Sequence, residues 1–342
     1  MKALFKLSRP INLLIIAATM VVMREGVVRG FLERGLAQLL AQDGGGFSRG
    51  DLIVPEGFGP QLPLWLFVML VLSTVLIAAA GNIINDYFDT RIDRINKPGE
   101  VIVGRVVKRR VAMTAHLVLS GLGLLLGLFV AWRSGQLRWA LIPAFAIGAL
   151  WTYSTHYKRQ LIIGNGLVAT LTAMVPLTVG LYEIPLLRTW FATGPVIGMP
   201  SGEQYAMEAS AQDLWYFILT YAAFAFVSTL VRELQKDMAD IKGDALDGCR
   251  TIPIVWGMKW AKGIALFHIA VLVVGLLALR MYVLRDSFSY WYIGIGIIGC
   301  LLLSAGFTYQ AWSRPEHVRA GQLMKAAMVL AIGYALFIRS LP

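Results

Sequence analysis

Apolar runs long enough to cross a membrane alternate with short polar segments along almost the whole of this chain. At 1.5 Å rise per residue, a helix needs about 20 apolar residues to cross a hydrocarbon core about 30 Å thick. The pattern predicts a first helix over 11–23, with Arg9, Pro10 and Asn12 at its entrance. Further spans are predicted over 64–84, 111–132, 137–153, 161–182, 214–230, 263–283, 290–308 and 323–338, which makes nine. Lys2, Lys6 and Arg9 ahead of the first run look like a signal peptide, but no small-residue cleavage site follows, so an uncleaved helix is expected. Residues 31–40 keep a helical period and extend the first helix or lie on the interface, until Gly44-Gly45-Gly46 breaks them. Pro55, Pro60 and Pro63 mark irregular chain, and 183–213 reads as a polar insert. Gly123 with Gly127, and Gly294, Gly296 and Gly299, are expected to let helices pack closely.

Composition changes this picture little. The chain is 57% hydrophobic and 15% charged, against about 25% charged in soluble domains. An all-α polytopic membrane protein in a single domain, 1–342, follows. Net charge is +11 with no nucleic-acid-reading motif, so the excess is assigned to topology and to anionic membrane lipids, with no nucleic acid as partner. Nine spans put 21 of the 31 Lys and Arg on the side of 85–110, 154–160 and 231–262. That side is expected to be cytoplasmic, in a cytoplasmic (inner) membrane, with 24–62 and 183–213 as extracytoplasmic insertions. Cys249 and Cys300 lie in unlike settings and predict neither a disulfide nor a zinc site.

Candidate chemistry sits at two helix ends. Asn85, Asp89 and Asp93 are spaced i, i+4, i+8 behind the run 64–84, so on a continuing helix they share one face, with Asp86 beside them. Lys236, Asp240 and Asp244 repeat the spacing behind 214–230, with Asp237 placed as Asp86 is. Carboxylates this close repel by about 4 kcal/mol at 4 Å and an effective dielectric near 20, so they call for a cation. Oxygen ligands without His or Cys suit Mg²⁺, which takes one or two carboxylates plus substrate phosphates. Arg94 and Lys97 in the first loop, Arg232 and Lys236 in the second, and Lys158 and Arg159 between them are candidate partners for phosphate oxygens.

The tract Gly81-Asn82-Ile83-Ile84-Asn85-Asp86-Tyr87-Phe88-Asp89-Thr90-Arg91-Ile92-Asp93, with Asn96-Lys97-Pro98, resembles the first signature of the UbiA-type intramembrane prenyltransferases. Arg232-Glu233 through Lys236-Asp237 to Asp244, then Gly248, Thr251 and Pro253, resembles the second. Tyr153-Ser154 with Lys158-Arg159, and Arg9-Pro10, are similar to two further family tracts. The resemblance implies helices around a central cavity open to the cytoplasm, and two Mg²⁺ held by Asn85, Asp89, Asp93, Asp240 and Asp244. It implies a prenyl diphosphate donor, with Asp86 and Asp237 free to act as bases and an aromatic face stabilising positive charge, for which Tyr153 is the candidate beside Tyr87, Phe88 and Tyr157. The second signature looks most like that of geranylgeranylglycerol-phosphate geranylgeranyltransferases, which implies a lipid-type acceptor. Lys242 and Ala245 depart from it, and an aromatic acceptor of quinone biosynthesis is the alternative. A transporter is a remote alternative, because transporter acids lie near the midplane.

Overall fold

The computed structural model describes residues 2–42, 54–198, 204–206 and 211–340, and the structure is helical almost throughout. A short helix α1 (Lys2–Leu7) precedes α2 (Pro10–Val22), which runs through a π turn at Met23–Val28 into α3 (Arg29–Gln42). Next come α4 (Leu64–Phe88), α5 (Thr90–Asn96), α6 (Arg109–Arg133), α7 (Leu141–Thr155) and α8 (Ile163–Phe191). A small antiparallel pair, β1 (Val196–Gly198) and β2 (Gln204–Ala206), leads to α9 (Ala211–Leu246), a rod of 36 residues. The chain ends with α10 (Ile252–Val255), α11 (Met258–Tyr282), α12 (Ser287–Trp291), a π turn at Tyr292–Ile298, α13 (Gly299–Gln310) and α14 (Arg314–Tyr334).

Among the described residues, eight helical stretches are long and apolar enough to cross a membrane. The expected fourth span is the exception: α7 has only 15 residues, between a 3-10 turn at Leu137–Ala140 and another at Tyr157–Arg159. Helices α6, α11 and α13 present Leu125, Val274, Leu302 and similar residues outward, as lipid-facing surfaces require. Trp256, Trp260, Tyr309 and Trp312 are exposed at one end, and Trp132, Tyr282, Tyr290 and Trp291 at the other, the belts that aromatic side chains form at membrane interfaces.

Two helix ends lie beyond their expected positions, for one reason. Arg24 does not stop the first helix, because it is buried and paired: Nε donates to Glu183 Oε1 at 2.9 Å and Nη2 to the Leu62 carbonyl at 2.6 Å. Glu183, fully buried, also accepts from the Gln61 and Leu62 amides at 2.7 and 3.0 Å. The helix carrying it therefore continues to Phe191, and Pro176 and Pro185 do not break it. The expected break at Gly44–Gly46 lies outside the described residues. Gly123 and Gly127 do serve close packing: a Cβ there would come within 2.6 Å of Ile77 and 2.7 Å of Pro143. The Gly294, Gly296 and Gly299 group does not, since a Cβ at Gly294 or Gly299 meets nothing within 4 Å. Two of those glycines lie in the π turn, and a Cβ at Gly296 meets only a side-chain carbon of Leu330, at an ordinary 3.9 Å.

Candidate active site

The first acidic row survives the junction of α4 and α5. Asp89 N–H donates to the Asn85 carbonyl and Asp93 N–H to the Asp89 carbonyl, both at 2.9 Å, so the i, i+4 ladder carries across. The second row lies wholly inside α9, not in a loop. A side chain from the first row's helix bonds to the backbone of the second. Asn96, the last residue of α5, donates from Nδ2 to the Asp240 carbonyl at 3.1 Å and accepts at Oδ1 from the Gly243 amide at 3.0 Å.

A cavity of about 280 Å³ lies between the rows. Asn85, Asp86, Asp89 and Asp93 line one wall, and Lys236, Asp237, Asp240 and Asp244 the other. Lys6, Arg9, Lys97 and Lys158 bring further positive charge to it, and Tyr153 is its aromatic wall. Of the other aromatics near the rows, Tyr87 lies under the Arg109 guanidinium at 4.1 Å and Phe88 packs edge-on to Trp151. Three basic residues expected at the site stand off its wall. Arg94 is exposed, Arg159 pairs with Asp247 at 2.9 Å, and Arg232 pairs with Glu233 at 2.6 Å.

Four of the seven acids that line the cavity have a polar partner within hydrogen-bond or ion-pair distance. Asp89 accepts from Asn85 Nδ2 at 2.7 Å and contacts the Lys158 ammonium. Asp86 pairs with Arg9 at 2.6 Å, and Asp240 faces Arg314 at 3.4 Å and Lys97 at 3.9 Å. Asp237 has a neutral partner, Asn165 Nδ2, at 2.7 Å. Burial first, and then Asp89, push the Asp93 carboxyl above its ordinary pKa. Burial works most strongly against the Lys158 ammonium, but the charge and hydrogen bond of Asp89, together with Tyr153, hold its pKa above the usual lysine value. Cations thus stand between carboxylates that would otherwise repel, and among the described residues no three acidic, His or Cys side chains form a ready-made metal cage.

The donor set nevertheless fits a hard divalent ion. It is all oxygen, and two residues of the cavity wall, Asn85 within the set and Thr251 beside it, have a buried oxygen with no hydrogen-bond partner. A buried polar atom left unpaired costs about 1–3 kcal/mol, which a bound cation or ligand would relieve.

Several of these residues are not legible in the row spacing. Arg9 reads as a helix start, yet it sits at φ 55°, ψ 65°, a left-handed backbone rare for a side-chain-bearing residue, with its guanidinium on Asp86. Pro10 after it disfavours the right-handed helical region at Arg9, which is the available signal. Asn165 and Arg314 have no local signal at all.

The UbiA prenyltransferase family model matches residues 57–332. The chain belongs to the UbiA prenyltransferase family. Among its relatives, the digeranylgeranylglyceryl phosphate synthase of Thermococcus sibiricus is 29% identical over 292 residues, 84% of this chain and 88% of that one. The enzyme of the same name from Thermococcus kodakarensis is 30% identical, over 82% of this chain and 87% of its own. A solved UbiA homologue from Archaeoglobus fulgidus, bound to GPP and Mg²⁺, shares the fold with a TM-score of 0.54 at 14% identity, covering 98% of this chain and 99% of that one. The two acidic rows of this UbiA chain lie on α4–α5 and α9, inside the matched segment. An integral membrane prenyltransferase is therefore the frame for the cavity's chemistry.

Proposed function

We propose that this protein transfers an isoprenyl group, a geranylgeranyl chain, from its diphosphate to a hydroxyl of a phosphorylated glycerol ether, with two Mg²⁺ as cofactor. The observation that carries the proposal is the single cavity into which both acidic rows and five cationic side chains, Lys6, Arg9, Lys97, Lys158 and Lys236, converge. The curated relatives named digeranylgeranylglyceryl phosphate synthase support the acceptor class.

Asn85, Asp89, Asp93, Asp240 and Asp244 would hold the metal. When bound, Mg²⁺ supplies Lewis-acid neutralisation of the departing diphosphate. Lys97, Lys158 and Lys236 take outer phosphate oxygens and keep the leaving group anionic in place. As the allylic C–O bond lengthens, positive charge develops on carbon, and the ring of Tyr153 is the aromatic face at the cavity wall that can meet it. The attacking hydroxyl must lose its proton. Asp86 is tied to the charged Arg9, whereas Asp237 accepts from the neutral amide of Asn165, so we assign the base to Asp237. Asp247, just past the end of α9, takes Arg159 at 2.9 Å and Arg91 of α5 at 3.7 Å, which ties the segments around the cavity to one another. The richer Lys/Arg side, which carries the cavity, is assigned to the cytoplasmic face of the cytoplasmic membrane. In this reading, among the described residues, only the chain outside the helices, 54–63 and 192–198, is left as decoration of the opposite face, since 24–42 and 183–191 continue the helices.

The test is incubation of purified protein with labelled geranylgeranyl diphosphate, Mg²⁺ and a panel of acceptors. Prenylation of geranylgeranylglycerol phosphate, abolished by EDTA, is expected. Efficient prenylation of a hydroxybenzoate or dihydroxynaphthoate, with the glycerol ether ignored, would transfer the protein to quinone biosynthesis.

A further inference from the structure

Asp240 receives cations from two separate elements, the end of α5 and the start of α14. Lys97 approaches Oδ2 at 3.9 Å, and Arg314 presents Nε and Nη2 to Oδ1, both at 3.4 Å. Arg314 belongs to neither acidic tract. It stands at the first turn of α14, some 70 residues beyond the second row, and no spacing in the chain connects the two. Its base is fixed: Glu316 accepts from the Trp312 and Ser313 amides at 2.7 and 2.8 Å, closing a capping box. Its guanidinium is not fixed in the same way. Strong charge-assisted bonds run about 2.7–2.9 Å, so contacts at 3.4 Å are loose. The Arg314 side chain is 40% exposed while that of Asp240 is 12% exposed, so the arginine has open space to withdraw into and the carboxylate has not.

A carboxylate oxygen facing a guanidinium is less available to a metal ion. From this geometry we propose that Arg314 is a positioning residue, a placeholder cation on Asp240. It holds the second-row carboxylate until a divalent ion takes that oxygen. It thereby sets how tightly the site binds metal that arrives without a diphosphate. The proposal rests on the reading of the acidic rows as a metal site. Lys158 on Asp89 is a different case: its side chain is 18% exposed and it lines the cavity, so it stays within reach of a bound diphosphate. Arg314 is not part of the cavity wall, so its effect falls on the metal more than on the donor.

The experiment is a Mn²⁺ titration of the purified full chain without donor, with free Mn²⁺ followed by electron paramagnetic resonance and folding checked by thermal melting. A cation within about 4–6 Å shifts a carboxylate's proton affinity by about 1–3 pH units, and partial exposure reduces this. Arg314→Gln is therefore expected to bind Mn²⁺ about three- to tenfold tighter than wild type. Arg314→Lys, which keeps the charge, should remain within about twofold of wild type. Asp240→Asn should bind Mn²⁺ more weakly, and adding Arg314→Gln to it should change nothing further. If Arg314→Gln does not fold, Arg314→Met keeps the apolar stem and carries the same expectation. Weaker binding in Asp240→Asn, combined with unchanged or weaker binding in a folded Arg314→Gln or Arg314→Met, overturns this inference alone. Wild-type binding in Asp240→Asn removes the metal-site reading and this inference together.

Discussion

Gly243 is the position where one methyl group tests the geometry between the two rows. A Cβ built there would lie 2.5 Å from Asn96 Nδ2 and 2.6 Å from both Cγ and Oδ1, closer than real Cβ contacts come. Asn96 is short and cannot fold away while keeping its bonds to the Asp240 carbonyl and the Gly243 amide. Gly243→Ala must therefore break both. Each is worth about 0.5–1.5 kcal/mol net. Replacing glycine by alanine inside a helix returns about 0.5–1 kcal/mol. The global cost is then only about 1 kcal/mol, a shift of a few degrees in melting temperature. The catalytic cost is larger, because α5 carries Asp93 and a misplacement of about 1 Å can cost about 100-fold in rate. The expected result is a folded protein with turnover reduced about 10- to 100-fold, measured as initial rates with labelled donor. If the clash is the cause, Asn96→Ala/Gly243→Ala should be no slower than Asn96→Ala alone. Gly243→Ala turning over within about twofold of wild type would refute the clamp.

Three further outcomes are expected. Asp89→Asn and Asp240→Asn should each lose turnover without losing the fold, and near-wild-type rates for either would reduce these acids to surface charge balance. Asp237→Asn should lower kcat by about 10²–10⁴ with the donor KM little changed, and Asp86→Asn should retain more activity, since Arg9 already occupies Asp86; the opposite ranking would reverse the assignment of the base. Burial, with help from Asp244 and Asp247, pushes the Cys249 thiol up to about 11, so roughly one molecule in a thousand is thiolate at pH 8. Its alkylation by a maleimide should be slow in the native protein and accelerate through pH 9–11, and fast labelling at pH 7 would contradict that burial.

The membrane class and both rows were legible because hydropathy and i, i+4 spacing are local quantities. Tertiary partners are not. Arg24 alone looks like the polar end of a span, and only Glu183, 159 residues away, turns it into a buried helical residue. Removing one partner of such a pair costs about 3–5 kcal/mol, which is why the fold keeps both and extends both helices. Asn96 and Gly243 each stand in a tract that resembles the family signatures, yet their contact spans 147 residues and no spacing announces it. Glycine is ambiguous in the same way: Gly123 and Gly127 meet a neighbouring helix, whereas Gly294 sits in a π turn with open space beside it. A small side chain permits close approach, and only the neighbour decides whether it happens.

The length of α9 has a consequence for how deep the reactants sit. Its 36 residues make a rod of about 54 Å, and a hydrocarbon core takes up only about 30 Å of it. With the apolar run 214–230 placed in the hydrocarbon, the last turns, bearing Asp237, Asp240 and Asp244, come out at headgroup level. In the proposed reaction a lipid diphosphate can thus reach the cavity with its charge still among headgroups and its tail still among lipid tails. Neither substrate has to carry an anion into oil, a transfer that costs several kcal/mol per charge even after the surroundings relax. Encounter then becomes a two-dimensional search within one leaflet, and the protein's task at the mouth is to strip water from phosphate, not to lift a lipid out of its membrane.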